Sequence, residues 1–140
     1  MKILLAVDGS EYTKKMLAYL TTHDELFSTN NNYTLLTVNP QLPPRARAAV
    51  GKEMVDSYHR DEAEKVLSPV TKFLLRHGID AKTVAKVGHA GETISKTADS
   101  GKFDLVVMGS HGHGTLGNLV MGSVATQVLA HCKVPVLLVR

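Results

Sequence analysis

The sequence is poor in several residue types that would point to particular classes of protein. Of its 140 residues, one is cysteine, none is tryptophan and 5% are aromatic. A chain with the single cysteine Cys132 cannot form an internal disulfide framework, which is typical of proteins in a reducing compartment. No apolar run approaches the roughly 18 residues that a membrane-spanning helix needs. A predicted strand starts at residue 2 in place of a leader segment, so we expect a cytoplasmic protein.

Composition and charge favour one ordinary globular domain. The chain is 44% hydrophobic and 21% charged, with a formal net charge of +3 at pH 7. These are globular values, and the length suits a single domain with a proper core. The small positive excess slightly favours anionic ligands. The dense basic face and interleaved aromatics of a nucleic-acid-binding protein are missing, so we expect neither a nucleic-acid nor a membrane partner.

Strand-like and helix-like segments alternate along the chain. The strands are predicted at residues 2–7, 33–38, 81–87, 104–108 and 134–139, and the helices at 10–26, 53–77, 91–101 and 123–132. Residues 45–52 are basic and have no clear preference. Strict alternation implies a parallel sheet covered by helices on both faces. Within the second helix we expect Pro69 to produce a kink, and an apolar face comprising Val55, Tyr58, Ala63, Val66, Val70, Phe73 and Leu74.

A long loop follows the fourth predicted strand and precedes the last helix. It covers residues 110–121, bears several glycines, and contains no Asp, Glu, Lys or Arg. Long loops of this kind are commonly functional. Glycines let backbone N–H groups approach an anion closely, and a helix start adds unpaired donors and a positive dipole end. The loop therefore predicts a phosphate cradle with Ser123 as a helix N-cap, the alternative being an ordinary turn.

The glycines of this loop also carry a family resemblance. Gly109, Gly112, Gly122 and Ser123 match without a gap the pattern Gly-x2-Gly-x9-Gly-[Ser/Thr], and this resembles the nucleotide signature of the universal stress protein family. The similarity extends to residues 2–10, 108–112 and 135–139 and to Val38, so that it spans nearly the whole chain. It implies one universal stress protein domain over residues 1–140.

The resemblance implies a fold and a binding site. The fold is a single Rossmann-like domain of the adenine nucleotide alpha-hydrolase-like type, with a five-stranded parallel sheet of order 3-2-1-4-5. Ligands of such sheets bind where the strand order reverses, so Asp8 should lie opposite Gly109 and Gly112. The implied nucleotide-binding residues are Ala6, Asp8, Val38, Met108, Gly109, Ser110, His111, Gly112, His113, Gly114, Thr115, Gly122, Ser123, Val124 and Ala125.

Roles for these residues follow from the same resemblance. Backbone N–H groups of Gly109 and Gly112 would bind the first phosphates, and Gly122 with Ser123 would bind the terminal phosphate. Asp8 would contact the ribose or base, or support a phosphate-bound divalent ion; its alternative is a turn or capping aspartate. Ala6 and Val38 would line the base pocket. The alternative for Ser123 is an ordinary N-cap.

The remaining histidines and the cysteine do not predict a metal site. His111 and His113 lie in the loop, with His89 and His131 elsewhere, and no spacing matches a zinc site. The expected cofactor is ATP, with Mg²⁺ or Mn²⁺ held by its phosphates. Protonated loop histidines would add pH-dependent affinity, although polar loop residues are the simpler interpretation. Cys132 is expected to be a small packed residue.

The missing catalytic groups restrict the predicted function. The loop has no Gly-Lys-[Ser/Thr], and the cradle carries no acid, base or arginine of its own. We therefore expect little or no ATP hydrolysis, at most a slow ATPase. The resemblance implies a nucleotide-dependent stress-response regulator that forms a homodimer through its last strand. That predicted strand begins at Val134 and ends at Val139, and its apolar edge invites pairing, unless neighbouring helices cover it.

Two other functions remain open at this stage. One is a dimeric protein-interaction module of the same fold that binds no nucleotide, against which the intact glycine spacing argues. The other is an adenine-nucleotide hydrolase or transferase. The segment Asp8-Gly9-Ser10 departs from the Ser-Gly-Gly-x-Asp-Ser pattern of those enzymes, and the sequence offers no separate substrate domain.

Overall fold

A computed structural model describes residues 1–114 and 119–140. The elements in chain order are β1 (Lys2–Ala6), α1 (Glu11–Thr21), β2 (Asn32–Asn39), α2 (Pro44–Val50), α3 (Lys52–Arg76), β3 (Lys82–Val87), α4 (Ala90–Ser100), β4 (Leu105–Gly109), α5 (Ser123–His131) and β5 (Val136–Val139). The strands form one parallel sheet of order β3-β2-β1-β4-β5. The predicted fold class and strand order are confirmed.

The central strand β1 sends its side chains alternately into two apolar cores. Ile3 and Leu5 pack with residues of α1 and α3 on one face of the sheet, whereas Leu4 and Ala6 pack with residues of α4 and α5 on the other. Successive strand residues point to opposite faces, which explains why an unbroken apolar run suits a strand with helices on both sides. None of the described helices is both long and apolar enough to cross a bilayer.

Helix α1 is shorter than the apolar pattern predicts. The expected end lay near Leu26, but the helix ends at Thr21 and the chain turns, with the N–H of Phe27 bonded to the carbonyl of His23. The hydroxyls of Thr21 and Thr22 donate to carbonyls of the last turn, including that of Ala18. These hydroxyls bond to carbonyl groups that would accept from backbone N–H groups if the helix continued. Phe27 is buried although it lies beyond the end of α1, so the apolar pattern continues past the helix.

The basic stretch and the long helix after it also differ from expectation. Residues without a predicted structure form α2, which has Pro44 at its first position, where proline is favoured. Gly51, with φ 82°, separates α2 from α3. Helix α3 is one continuous helix across Pro69, and its buried residues are Ala63, Leu67, Val70 and Leu74. The prediction of Tyr58 on the apolar face is wrong: this side chain is 46% exposed.

The strand order creates a crevice between β1 and β4. These strands are neighbours, and each continues into a helix on a different face of the sheet: α1 packs with α3, and α5 packs with α4. The segments that leave the two strands therefore separate, and they open a space outside the carboxyl ends of the strands. Asp8 follows β1 and Gly109 ends β4, so both predicted features lie at this point.

Candidate functional site

A cavity of ≈ 250 Å³ lies at the carboxyl ends of β1, β2 and β4, and we call it the crevice. It is lined by most of the residues predicted from the sequence, namely Ala6, Asp8, Val38, Met108, Gly109, His111, Gly112, His113, Gly122, Ser123, Val124 and Ala125. Its lining also includes residues that the sequence reasoning missed, namely Val7, Thr13, Leu36, Ala90 and Ile94. The predicted residues thus come together from distant parts of the chain.

Two of the predicted residues, Ser110 and Gly114, do not line the crevice. Ser110 is buried, and its hydroxyl bonds to Nδ1 of His111 at 2.7 Å, so it supports the loop and does not line the cavity. Gly114 adopts φ 70°, a conformation that favours glycine, but lies outside the cavity lining. Thr115 lies outside the described residues.

Asp8 is held by the first turn after β1. Its Oδ1 accepts hydrogen bonds from the N–H of Ser10 at 2.9 Å and from Oγ1 of Thr13 at 3.0 Å. The same Thr13 oxygen accepts from the N–H of Asp8 at 3.1 Å, and Thr13 is 4% exposed. The other carboxylate oxygen, Oδ2, faces Gly112, where an added Cβ would lie 2.7 Å from it. One oxygen of Asp8 therefore stabilises the turn while the other faces the loop.

The motif glycines are required by close backbone packing. An added Cβ at Gly109 would lie 2.6 Å from Cβ of Tyr12, and one at Gly122 would lie 3.1 Å from Cα of His111. The N–H of Gly122 donates to the carbonyl of Ser110 at 2.8 Å. This bond closes the base of the loop, and the predicted contact of Gly122 with a terminal phosphate stays a prediction.

The start of α5 has backbone N–H groups that can act as donors, as the glycine motif predicts. Gly122 is the N-cap with φ −75° and ψ 162°, and Ser123 is the first helical residue, so the prediction of Ser123 as N-cap is wrong. The first bond within the helix runs from the N–H of Thr126 to the carbonyl of Gly122 at 3.0 Å. Within residues 1–114 and 119–140, the N–H groups of Ser123, Val124 and Ala125 have no partner. Such a helix start attracts anions.

The two loop histidines make different contacts: His111 bonds within the loop and packs against Tyr12, and His113 bonds to the turn after β1. His111 donates from Nε2 to the carbonyl of Leu119 at 2.8 Å, and its ring lies 4.7 Å from that of Tyr12. His113 donates from Nε2 to the carbonyl of Asp8 at 2.7 Å. A carbonyl oxygen only accepts, so each Nε2 carries hydrogen. These contacts agree with the simpler interpretation of polar loop residues.

The lining of the crevice combines apolar and polar groups. Leu36, Val38, Ile94 and Met108 are apolar, whereas Asp8 and the start of α5 are polar. No lysine or arginine from the described ranges lines it. No group of three His, Cys, Asp or Glu side chains in these ranges is placed to hold a metal ion. A divalent cation prefers several oxygen ligands. The carboxylate of Asp8 provides such oxygens, and a small molecule bound in the crevice would have to provide the others.

Cys132 lies away from the crevice, at the end of α5. Its Sγ is 3.8 Å from Oδ1 of Asp99, and it packs at the margin of the α4–α5 core. Burial raises the pKa of this thiol. A raised pKa lowers the thiolate fraction near neutral pH, which agrees with the predicted packing role.

The fold and the crevice together define a class: single-domain α/β proteins with a ligand cavity at the switch point of a parallel sheet. The universal stress protein family model matches residues 1–140, and the chain belongs to this family. It is 32% identical to a universal stress protein of Synechocystis sp. over 99% of its own length but only 42% of that protein. It is 29% identical to a universal stress protein of Thermus aquaticus over 99% of its own length and 97% of that protein.

Solved structures agree with this assignment. The protein MJ0577 of Methanocaldococcus jannaschii superposes with a TM-score of 0.80 at 29% identity, covering 99% of this chain and 94% of that one. A universal stress protein in complex with cAMP has a TM-score of 0.70 at 22% identity, covering 100% and 97%. A family member from Arabidopsis thaliana with AMP bound has a TM-score of 0.66 at 17% identity, covering 99% and 90%.

Proposed function

We propose that this protein binds ATP in the crevice and acts as a nucleotide-dependent regulator with little or no hydrolysis. The observation that carries the proposal is the set of unpartnered N–H groups at Ser123, Val124 and Ala125, which line the same cavity as Asp8. Donors of this kind bind phosphate without any charged side chain.

The polarity of the crevice suggests how the nucleotide would lie. The adenine would lie beside the apolar side chains of Val38 and Met108, because the transfer of apolar ring surface from water to an apolar environment is favourable. The ribose would lie near Asp8, and the phosphates would extend towards the start of α5. At ≈ 250 Å³ the cavity is smaller than the roughly 300–1,000 Å³ typical of ligand pockets, so the terminal phosphate would remain near solvent.

The polar groups around the crevice favour binding over hydrolysis. Phosphoryl transfer needs cationic groups on the transferring phosphate and a group that orients the nucleophile. Among the described residues no lysine or arginine lines the crevice, and the bonds of His111 and His113 hold the loop. Bound Mg²⁺ or Mn²⁺ would neutralise phosphate charge, with Asp8 as the carboxylate ligand and phosphate oxygens as the other ligands.

The homodimer belongs to the same proposal. Strand β5 is at one edge of the sheet, paired only with β4, and Val136, Leu137 and Leu138 are half-buried in the single chain. An apolar edge strand of this kind pairs readily with a second copy. The cytoplasmic location and the stress-response role are also part of this proposal.

The structural relatives support an adenine nucleotide as the ligand. Proteins of the same fold hold cAMP and AMP, so the architecture is compatible with an adenine nucleotide. We propose ATP as the ligand because the N–H groups at the start of α5, unpartnered within the described ranges, can donate to more than one phosphate oxygen.

The test is calorimetric titration of nucleotide-free protein with ATP and magnesium, beside Gly122→Val. We expect binding by the parent protein and none by the variant, because the side chain would meet the backbone of His111 and Ser110. Phosphate release measured in the same samples should stay at the background rate. Absence of binding by the parent protein would contradict the proposal and favour the interaction module, while rapid phosphate release would contradict its non-enzymatic part.

A further inference from the structure

Tyr12, in the first turn of α1, contacts the end of β4 and the loop after it, although it does not line the crevice. A Cβ added at Gly109 would lie 2.6 Å from Cβ of Tyr12. The ring centroid of Tyr12 lies 4.7 Å from that of His111, and the two ring planes are inclined by 33°. Since Gly109 and His111 both line the crevice, Tyr12 supports two of its lining residues from outside.

His111 connects the two ends of this loop. Its Nδ1 bonds to the hydroxyl of Ser110 at 2.7 Å, and its Nε2 donates to the carbonyl of Leu119 at 2.8 Å. A Cβ added at Gly122 would lie 3.1 Å from Cα of His111, and Gly122 is the N-cap of α5. The backbone of His111 therefore packs directly against the residue that precedes the N–H donors of α5. A displaced His111 would displace these donors as well.

The ring of Tyr12 is itself held in place on α1. Lys15 is three residues further along the helix, so the two side chains share one side of it. Nζ of Lys15 lies over the ring of Tyr12, 4.7 Å from its centroid, and such a cation–π contact is favourable. The next residue, Thr13, donates to Oδ1 of Asp8 at 3.0 Å. Consecutive residues of the first turn of α1 thus support two lining residues of the crevice, Asp8 after β1 and His111 after β4.

We propose that Tyr12 is a positioning residue for nucleotide binding that acts through His111. Its ring fixes the position of His111, and His111 in turn fixes the start of α5 against the loop. The inference rests on the proposed function, because the donors of α5 matter here only if phosphate binds to them. An aromatic pair contributes modestly beyond burial, so loss of the ring should weaken binding while the domain stays folded.

The test uses variants of the full chain that keep or lose this ring. Tyr12→Phe keeps the ring and its Cβ, whereas Tyr12→Leu and Tyr12→Met keep an apolar side chain without a ring. Tyr19→Leu is the matched control, because Tyr19 is on the same helix and also stacks on a histidine ring, that of His23, with 3.9 Å between the ring centroids. Neither residue of that pair lines the crevice. Calorimetric titration with ATP and magnesium gives the affinity, urea unfolding gives the stability, and nitrogen-15 shifts of the imidazole of His111 report its tautomer.

We expect Tyr12→Phe to bind ATP as the parent protein does, and both ring-free variants to bind roughly two- to tenfold more weakly. Tyr19→Leu should lose stability but not affinity, because its ring packs beside the hydrophobic core and does not line the crevice. Before nucleotide is added, His111 should show the Nε2–H tautomer in the parent protein and in Tyr12→Phe, since a carbonyl only accepts. In Tyr12→Leu its nitrogen shifts should move towards the average of the two tautomers, because the imidazole is no longer held.

Three results would overturn the inference and leave the proposed function intact. If Tyr12→Leu and Tyr12→Met bind ATP as tightly as Tyr12→Phe, the ring has only a packing role. If they lose affinity while the tautomer of His111 stays unchanged, the effect does not pass through that residue. If Tyr19→Leu loses as much affinity as Tyr12→Leu, affinity follows the stability of α1 as a whole. Absence of ATP binding by the parent protein would overturn the inference and the proposed function together, so the two failures are distinguishable.

Discussion

Replacement of Ser123 by proline would remove one phosphate donor while leaving helix α5 in place. Proline lacks an N–H but is favoured at the first position of a helix, where that N–H has no partner within the helix. The residue before a proline must be extended, and Gly122 already has φ −75° and ψ 162°. A hydrogen bond to a charged group contributes about 1.5–3 kcal/mol, so ATP should bind roughly 10- to 100-fold more weakly.

The controls separate the lost N–H from other effects of the substitution. Ser123→Ala removes only the hydroxyl. The smaller loss of ATP affinity expected for this variant measures the contribution of the hydroxyl. Glu11→Pro places a proline at the first position of α1 after Ser10, which is also extended, with φ −71° and ψ 173°. It should leave ATP affinity unchanged, because Glu11 does not line the crevice. Calorimetric titration provides the affinities. Equal affinity in Ser123→Pro and Ser123→Ala would refute the role of the α5 donors.

Three further predictions concern the turn, the edge strand and the cysteine. Thr13→Val keeps the shape of a buried side chain but loses both hydrogen bonds to Asp8. The free energy of unfolding in urea should therefore fall by about 1–3 kcal/mol, and the affinity for ATP should decrease. Unchanged stability and affinity would contradict this role of Thr13. Light scattering should show the proposed dimer for the parent protein and for Val87→Lys on the opposite edge strand β3, but a monomer for Val136→Lys on β5. A monomeric parent protein would contradict the proposed interface. Because burial raises the pKa of Cys132, its modification by a thiol reagent at pH 8 should be slower than that of a free thiol and should accelerate on unfolding; rapid modification of the native protein would contradict it.

Local patterns predicted the parallel sheet, whereas the strand order, and with it the place of the crevice, came from the resemblance to the universal stress protein family. Unbroken apolar strands that alternate with helices require a parallel sheet, and the motif glycines lie at the end of β4. The close approach of Tyr12 to Gly109 explains physically why that position is a glycine.

The errors of the sequence analysis arise where tertiary contacts decide. Neither the bond from Gly122 to Ser110 nor the paired bonds between Thr13 and Asp8 can be read from spacing alone, because each depends on how a turn folds back. Tyr58 fits the helical pattern, but its part of α3 lies outside the core, so periodicity alone overestimates its burial.

The most direct test of the central claim is an amide NMR titration of the isotope-labelled full chain with ATP and magnesium. We expect the largest shifts at Ser123, Val124 and Ala125, followed by Gly112 and the turn at Asp8, while the amides of α2 move little. Shifts confined to α2 and α3, or no shifts at saturating ATP, would contradict nucleotide binding in the crevice.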